Sequence, residues 1–119
     1  MPWLASEEVH GLLVETWSEA DEWLVGRYVV MPDHVHLFVG YAGSNVPLEN
    51  WVRFWKSSFS KRHGNLDHRR QSGFWDRALR RSESYEQKWE YVRQNPVRHK
   101  LVEMAEHWPY QGEINVLSW

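Results

Sequence analysis

From Trp23 to Met31 the chain is dense in β-branched and aromatic residues, Pro32 and Asp33 break the run, and an alternating segment follows from His34 to Gly40. Such residues fit a pleated, half-buried surface, and the Pro-Asp pair marks a turn between two runs of strand length, so this stretch predicts a β-hairpin. Amphipathic patterns flank it. Ser6 can cap a helix with Glu7 and Glu8 in its first turn, and Val9, Leu12, Leu13, Thr16 and Trp17 recur at helical spacing up to about Ala20. After the hairpin, Leu48, Trp51, Val52, Trp55 and Phe59 form an apolar stripe on a helix from Leu48 to Arg62, with Arg53, Lys56 and Lys61 off the stripe and Gly64 as its stop.

The remainder is less regular. His63 to Gly73, with Arg69 and Arg70, has no periodicity and reads as a mobile basic loop, followed by a short extended piece around Phe74 to Leu79. Ser82 or Ser84 can cap a helix that runs to about Gln94, where Asn95 suits a new N-cap and Pro96 the first position of a further turn. Residues 107 to 119, with Trp108, Pro109, Tyr110, Gly112 and Trp119, read as a strap over a core. No repeat, low-complexity segment or domain boundary interrupts the 119 residues, which suit one compact domain.

The chain has no cysteine, which excludes disulfides and thiolate metal sites and fits a reducing cytoplasm. Its apolar runs fall far short of the roughly 20 residues that cross a bilayer, and Met1 to Glu8 lacks the blocks of a signal peptide, so a soluble protein with no membrane partner is expected. The net charge of -2 hides a segregation: residues 1 to 50 carry eight Asp or Glu against the single Arg27, whereas residues 51 to 102 carry thirteen Lys or Arg against five acids. One basic surface that meets phosphates would produce this pattern, and so would two solvated helices that pair with each other.

Two groups of residues could carry chemistry. His34 and His36 are two apart on an expected strand, so the period of two puts both imidazoles on one face while Val35, Leu37 and Val39 point to the other. Neutral imidazoles on a rigid strand are pre-placed for a divalent cation; the plainer reading is that they decorate a half-exposed strand. On the later helix Tyr85, Trp89 and Val92 form the core stripe, and at about 100° per residue Tyr91 falls roughly 120° from it. Lys88 lies one turn before Tyr91 and Asn95 one turn after, so an ammonium, a hydroxyl and an amide can share that flank. A phenol of pKa about 10 needs a nearby cation to favour the phenolate as a nucleophile. Tyr91 can also be an amphipathic surface tyrosine, and Asn95 an N-cap, a metal ligand or both.

The string Val30-Met31-Pro32-Asp33-His34-Val35-His36-Leu37-Phe38-Val39 resembles the His-hydrophobic-His signature of the HUH single-tyrosine transposases. Tyr91-Val92-Arg93-Gln94-Asn95-Pro96-Val97-Arg98 resembles the tyrosine helix of their REP-associated branch, and Trp55-Lys56-Ser57, Asp76-Arg77 and Leu79-Arg80 are similar to further family segments. The resemblance runs from about residue 6 to 102. It implies an α+β, ferredoxin-like sandwich of helices on an antiparallel sheet, here expected to lack the strand that family members carry ahead of the first helix. A second departure is His99-Lys100 where the family usually has Ala-Gly.

By that resemblance His34, His36 and Asn95 bind Mg²⁺ or Mn²⁺, Tyr91 is the nucleophile, and the product is a 5′-phosphotyrosine with a free 3′-hydroxyl; the helical spacing adds Lys88 as the cation beside Tyr91. The DNA is single-stranded with a palindromic hairpin, tracked by Arg53, Lys56, Lys61, Arg62, Arg69, Arg70, Arg80 and Arg81, with Trp51 or Phe74 stacking on bases if exposed. Most of the nine tryptophans belong to the core. A catalytically idle relative that only binds hairpin DNA is the alternative, and a small RNA-binding module with Tyr28 and Phe38 as paired strand aromatics is a remote third. Without the first strand the sheet would expose backbone groups beside the histidine strand, so the tail, or a second copy of the chain in a homodimer, is expected to fill the gap.

Overall fold

The computed structural model describes residues 4–64, 75–79 and 85–117. Its first helix, α1 (Glu7–Glu19), starts where the Ser6 hydroxyl accepts from the Val9 amide at 3.2 Å, the bond expected of an N-cap serine. The hairpin forms as β1 (Trp23–Val30) and β2 (His34–Tyr41), antiparallel and with no prolyl cis bond at the turn. Its register jumps between Val25 and Tyr28. That bulge moves the alternation by one residue, so Val25 before it and Tyr28 and Val30 after it all reach the same side of the sheet.

On that side lie α1 and α2 (Leu48–His63), which bury Val9, Leu13, Trp17, Trp51, Trp55 and Phe59 against Val35, Leu37 and Val39 of β2. The rings interlock, Trp17 standing edge-on to Trp55 at 5.5 Å, and the Trp51 indole N–H donates to the Ala20 carbonyl at the end of α1 at 2.6 Å. Gly64 stops α2 in the left-handed region at φ 68°, which glycine adopts without steric cost.

The chain then returns as β3 (Trp75–Leu79), which pairs with β2 in parallel. A strand, a helix and a second strand running the same way form a crossover unit, and α2 is that crossover. On the opposite face α3 (Tyr85–Arg93) lays Val92 and Trp89 against Phe38, with Trp89 edge-on to Phe38 at 6.0 Å and Arg27 above the Trp89 ring at 5.4 Å. A single further turn, α4 (Asn95–Arg98), follows after Gln94.

The tail contains a 3₁₀ turn (Ala105–His107) and a three-residue strand, β4 (Gln111–Glu113), antiparallel to β1. Trp108 is buried and its indole N–H donates to the Val30 carbonyl at 3.0 Å, while the Ile114 and Asn115 amides bond the Gly26 and Val25 carbonyls. At Gly26 the tail comes so close that a Cβ would stand 2.6 Å from Leu117. The strap expected of the tail is therefore there, and part of it is a regular strand.

The sheet order is β3-β2-β1-β4, an α+β arrangement with helices on both faces. Two corrections follow. The strand pairing is antiparallel across β2, β1 and β4 but parallel between β2 and β3, because nothing stands between the two ends of the crossover. The position beside the histidine strand is taken by β3 rather than by the tail, which covers the other edge, along β1. No described helix is long and apolar enough to cross a membrane.

Candidate active site

The face of β2 that carries Phe38 also carries His34 and His36, and α3 and α4 pack across it. His34 Nε2 and His36 Nε2 lie 3.1 Å apart with their rings nearly perpendicular. Asn95 is buried at 8% exposure and its Nδ2 lies 2.7 Å from His36 Nε2. The two histidines and the asparagine of the motifs thus meet at one point although 59 residues separate His36 from Asn95.

Two further residues complete the cluster, and neither was singled out from the sequence. Asp33 Oδ1 lies 2.7 Å from His34 Nδ1. The turn before β2 brings it there, so the carboxylate holds one ring nitrogen of His34 and leaves Nε2 facing His36. Arg98, one turn beyond Asn95, donates from Nη2 to Asn95 Oδ1 and to the Tyr91 carbonyl at 2.6 Å. Because a guanidinium has only donors, the Asn95 atom it touches is the oxygen, which sets the amide nitrogen toward His36. The signal for Arg98 was its place at i+7 from Tyr91 and i+3 from Asn95; that for Asp33 was its place next to a strand histidine.

Tyr91 is 67% exposed on the last turn of α3, away from the core stripe as its helical phase predicts. Its ring lies under the Arg98 guanidinium, 3.9 Å from Cζ to centroid, and through Arg98 it joins the Asn95-His36-His34 cluster. Lys88 is exposed one turn earlier. The cation on the Tyr91 ring is thus Arg98, not Lys88. Asn95 does not act as an N-cap: Gln94 precedes α4 in that position without a side-chain bond, and Asn95 spends its amide on His36 and Arg98.

The expected DNA contacts divide. Arg53 and Lys61 are exposed on α2 and Lys56 is half-buried. Arg62 reaches back to α1, where it pairs with Glu15 at 3.1 Å and with Glu19. Hydrogen bonding from Arg62 holds the Glu19 carboxyl below its ordinary range, and the same bond raises the Arg62 guanidinium. For this residue the charge is used in pairing two helices. Arg69, Arg70, Phe74, Arg80, Arg81 and the two serine caps expected before α3 lie outside the described residues.

Trp51 is fully buried and cannot stack on a base; the exposed aromatic of α2 is Phe54, at 57%. Tyr28 and Phe38 are both buried, and in separate clusters on opposite faces, so they form no exposed aromatic platform and the RNA-binding alternative loses its support. Among the described residues no group of three His, Cys, Asp or Glu side chains could hold an ion, so a metal site here would need the Asn95 amide.

No family model matches the chain, and no solved structure gives a significant match. A protein of Escherichia coli strain K12 named REP-associated tyrosine transposase is 28% identical over 86 residues, 72% of this chain and 52% of its own length. A protein of Haemophilus influenzae, provisionally given the same name, is 26% identical over 96 residues, 70% of this chain and 54% of its own. The chain therefore spans about half the length of these curated relatives. Both of these proteins, to which the chain is similar, thus carry the name of the group that its histidine and tyrosine motifs resemble.

Proposed function

We propose that the protein is a single-stranded DNA endonuclease and strand transferase that works through a phosphotyrosine; the name of the two relatives, REP-associated tyrosine transposase, supports the coarser part of this reading. One observation carries the reading: the contact chain from His34 through His36, Asn95 and Arg98 to the Tyr91 ring, built from residues of two distant motifs. In the reaction the Tyr91 hydroxyl loses its proton to solvent and attacks phosphorus. The new bond is phosphorus to Tyr91 Oη; the bond to the 3′ oxygen breaks, and that oxygen takes the electron pair and a proton to leave as a 3′-hydroxyl. Because the phosphodiester energy is kept in the protein link, another 3′-hydroxyl can reverse the step and join strands.

His34, His36 and Asn95 would hold a divalent cation, Mn²⁺ or Mg²⁺, which when bound neutralises charge on the phosphate. The donor set suits the ion in kind, and two imidazoles favour Mn²⁺ over Mg²⁺. Asn95 Oδ1 faces Arg98, so its service as a ligand requires the amide to turn about its Cβ–Cγ bond. Lys88, exposed beside Tyr91, would meet the substrate phosphates, and Arg53, Lys56 and Lys61 with the arginines at 69, 70, 80 and 81 would track the strand while Phe54 offers a face for stacking.

The test is incubation with Mn²⁺ and a labelled hairpin oligonucleotide, followed by denaturing electrophoresis. A covalent adduct is expected from the wild type and none from Tyr91→Phe. Hairpin binding without any adduct from the wild type would replace this reading by that of a binding-only relative.

A further inference from the structure

We infer that Arg98 is the positioning residue of the nucleophile: its guanidinium locks the exposed Tyr91 ring to the Asn95 side of the helix so that the phenol is held ready for attack. The inference rests on the phosphotyrosine reading above. An exposed tyrosine at the end of a helix would exchange rotamers freely, yet a single side chain makes two contacts to this one and a third to Asn95. The guanidinium Cζ lies over the Tyr91 ring at 3.9 Å from its centroid, Nη2 donates to the Tyr91 carbonyl at 2.6 Å, and Nη2 also donates to Asn95 Oδ1. Residues 91, 95 and 98 are spaced i, i+4 and i+7, and Gln94 between α3 and α4 keeps an αR backbone at φ -84° and ψ -4°, so the three side chains stay on one flank.

The plainer role for Arg98 is a helix C-terminal cap, since a basic side chain that bonds a last-turn carbonyl also complements the dipole. Capping needs the carbonyl contact alone. It does not need the ring stack or the amide contact, and only the planar fork of arginine supplies all three at once. Lysine can cap a helix terminus but cannot reproduce the stack and the fork together, so Arg98→Lys separates the two roles. Misplacing a reacting group by about 1 Å costs on the order of a hundredfold in rate, which sets the size of effect a lost clamp should have.

The experiment measures single-turnover adduct formation with Mn²⁺ and the hairpin oligonucleotide over a range of oligonucleotide concentrations, beside binding by fluorescence anisotropy and thermal unfolding. Arg98→Ala and Arg98→Lys should both lower the saturating rate by about a hundredfold while the dissociation constant moves less than roughly threefold. Added methylguanidinium should restore part of the Arg98→Ala rate, and methylammonium should not. A saturating rate for Arg98→Lys within roughly threefold of wild type, or a loss confined to binding, overturns the inference. In the free protein, Tyr91 ring signals in aromatic carbon NMR should shift and average in both variants. Ring signals unchanged by either variant overturn the clamp whether or not the wild type makes an adduct, whereas an adduct-free wild type with shifted ring signals overturns the nuclease reading alone.

Discussion

An imidazole offers one nitrogen to a cation cleanly only when its other nitrogen is held by a partner, and Asp33 is that partner for His34 at 2.7 Å. Losing such an outer contact typically weakens metal binding by about 10- to 100-fold. Mn²⁺ affinity measured by calorimetry should fall by that order in Asp33→Ala with the fold intact, and equal affinities in the two proteins would remove Asp33 from the site. A different histidine governs stability. His10 Nε2 lies 2.6 Å from the Tyr28 hydroxyl, and burial holds the His10 imidazole below its ordinary pKa while it raises the Tyr28 phenol. The folded chain therefore takes up a proton at His10 less readily than the unfolded chain does. The stability linked to His10 is complete above about pH 6.5 and is lost as pH falls through the lowered folded value. Thermal midpoints should accordingly drop more steeply between neutral and mildly acid pH in the wild type than in His10→Gln; parallel curves would show that the His10–Tyr28 pair is not responsible.

At the scale of elements, α2 separates two aromatic roles that the sequence left together. Trp51 fills the core between α1 and the sheet and bonds the Ala20 carbonyl, whereas its neighbour Phe54 is turned outward. Trp51→Ala should cost about 3–5 kcal/mol of stability, as expected for removal of a large buried aromatic. Phe54→Ala should leave the midpoint of denaturant unfolding nearly unchanged and weaken oligonucleotide binding by the equivalent of about 1–3 kcal/mol, the worth of one stacked base. A Phe54→Ala protein that binds like wild type would exclude α2 as a stacking surface. The stripe of Trp51, Trp55 and Phe59 was legible in the sequence because helical period depends on neighbours within a few residues, and for the same reason the Ser6 cap, the Pro32-Asp33 turn and the Gly64 stop lie where the pattern put them. The parallel pairing of β3, the tail's choice of the β1 edge and the grip of Arg98 on Tyr91 were not legible, since each depends on which distant segment arrives alongside. Tyr91 itself shows the division: its phase away from the core was predictable, its cation was not, because Lys88 and Arg98 both sit within two turns of it and only the packing of α4 decides between them.

At the scale of the molecule, the segregation of acidic and basic halves resolves into two uses of positive charge. Part of it is internal: Arg62 is held between Glu15 and Glu19, so α1 and α2 neutralise each other where they cross. What remains outward on α2 is Arg53 and Lys61, both exposed, with Lys56 half-buried. Only the outward charges can displace counterions from a nucleic acid, and for a single strand each neutralised phosphate contributes about 0.7 to the slope of log affinity against log salt. Removing Arg53 or Lys61 should therefore lower the magnitude of that slope by about 0.7 apiece. Arg62→Ala should leave the slope in place and lower the unfolding midpoint instead, because it breaks a contact between helices rather than one with the strand. Salt titrations of oligonucleotide binding for the three single variants decide the matter. If Arg62→Ala lowers the slope while Arg53→Ala and Lys61→Ala do not, the strand crosses the molecule on the α1 side of α2, and the ion pairs with Glu15 and Glu19 open when DNA binds.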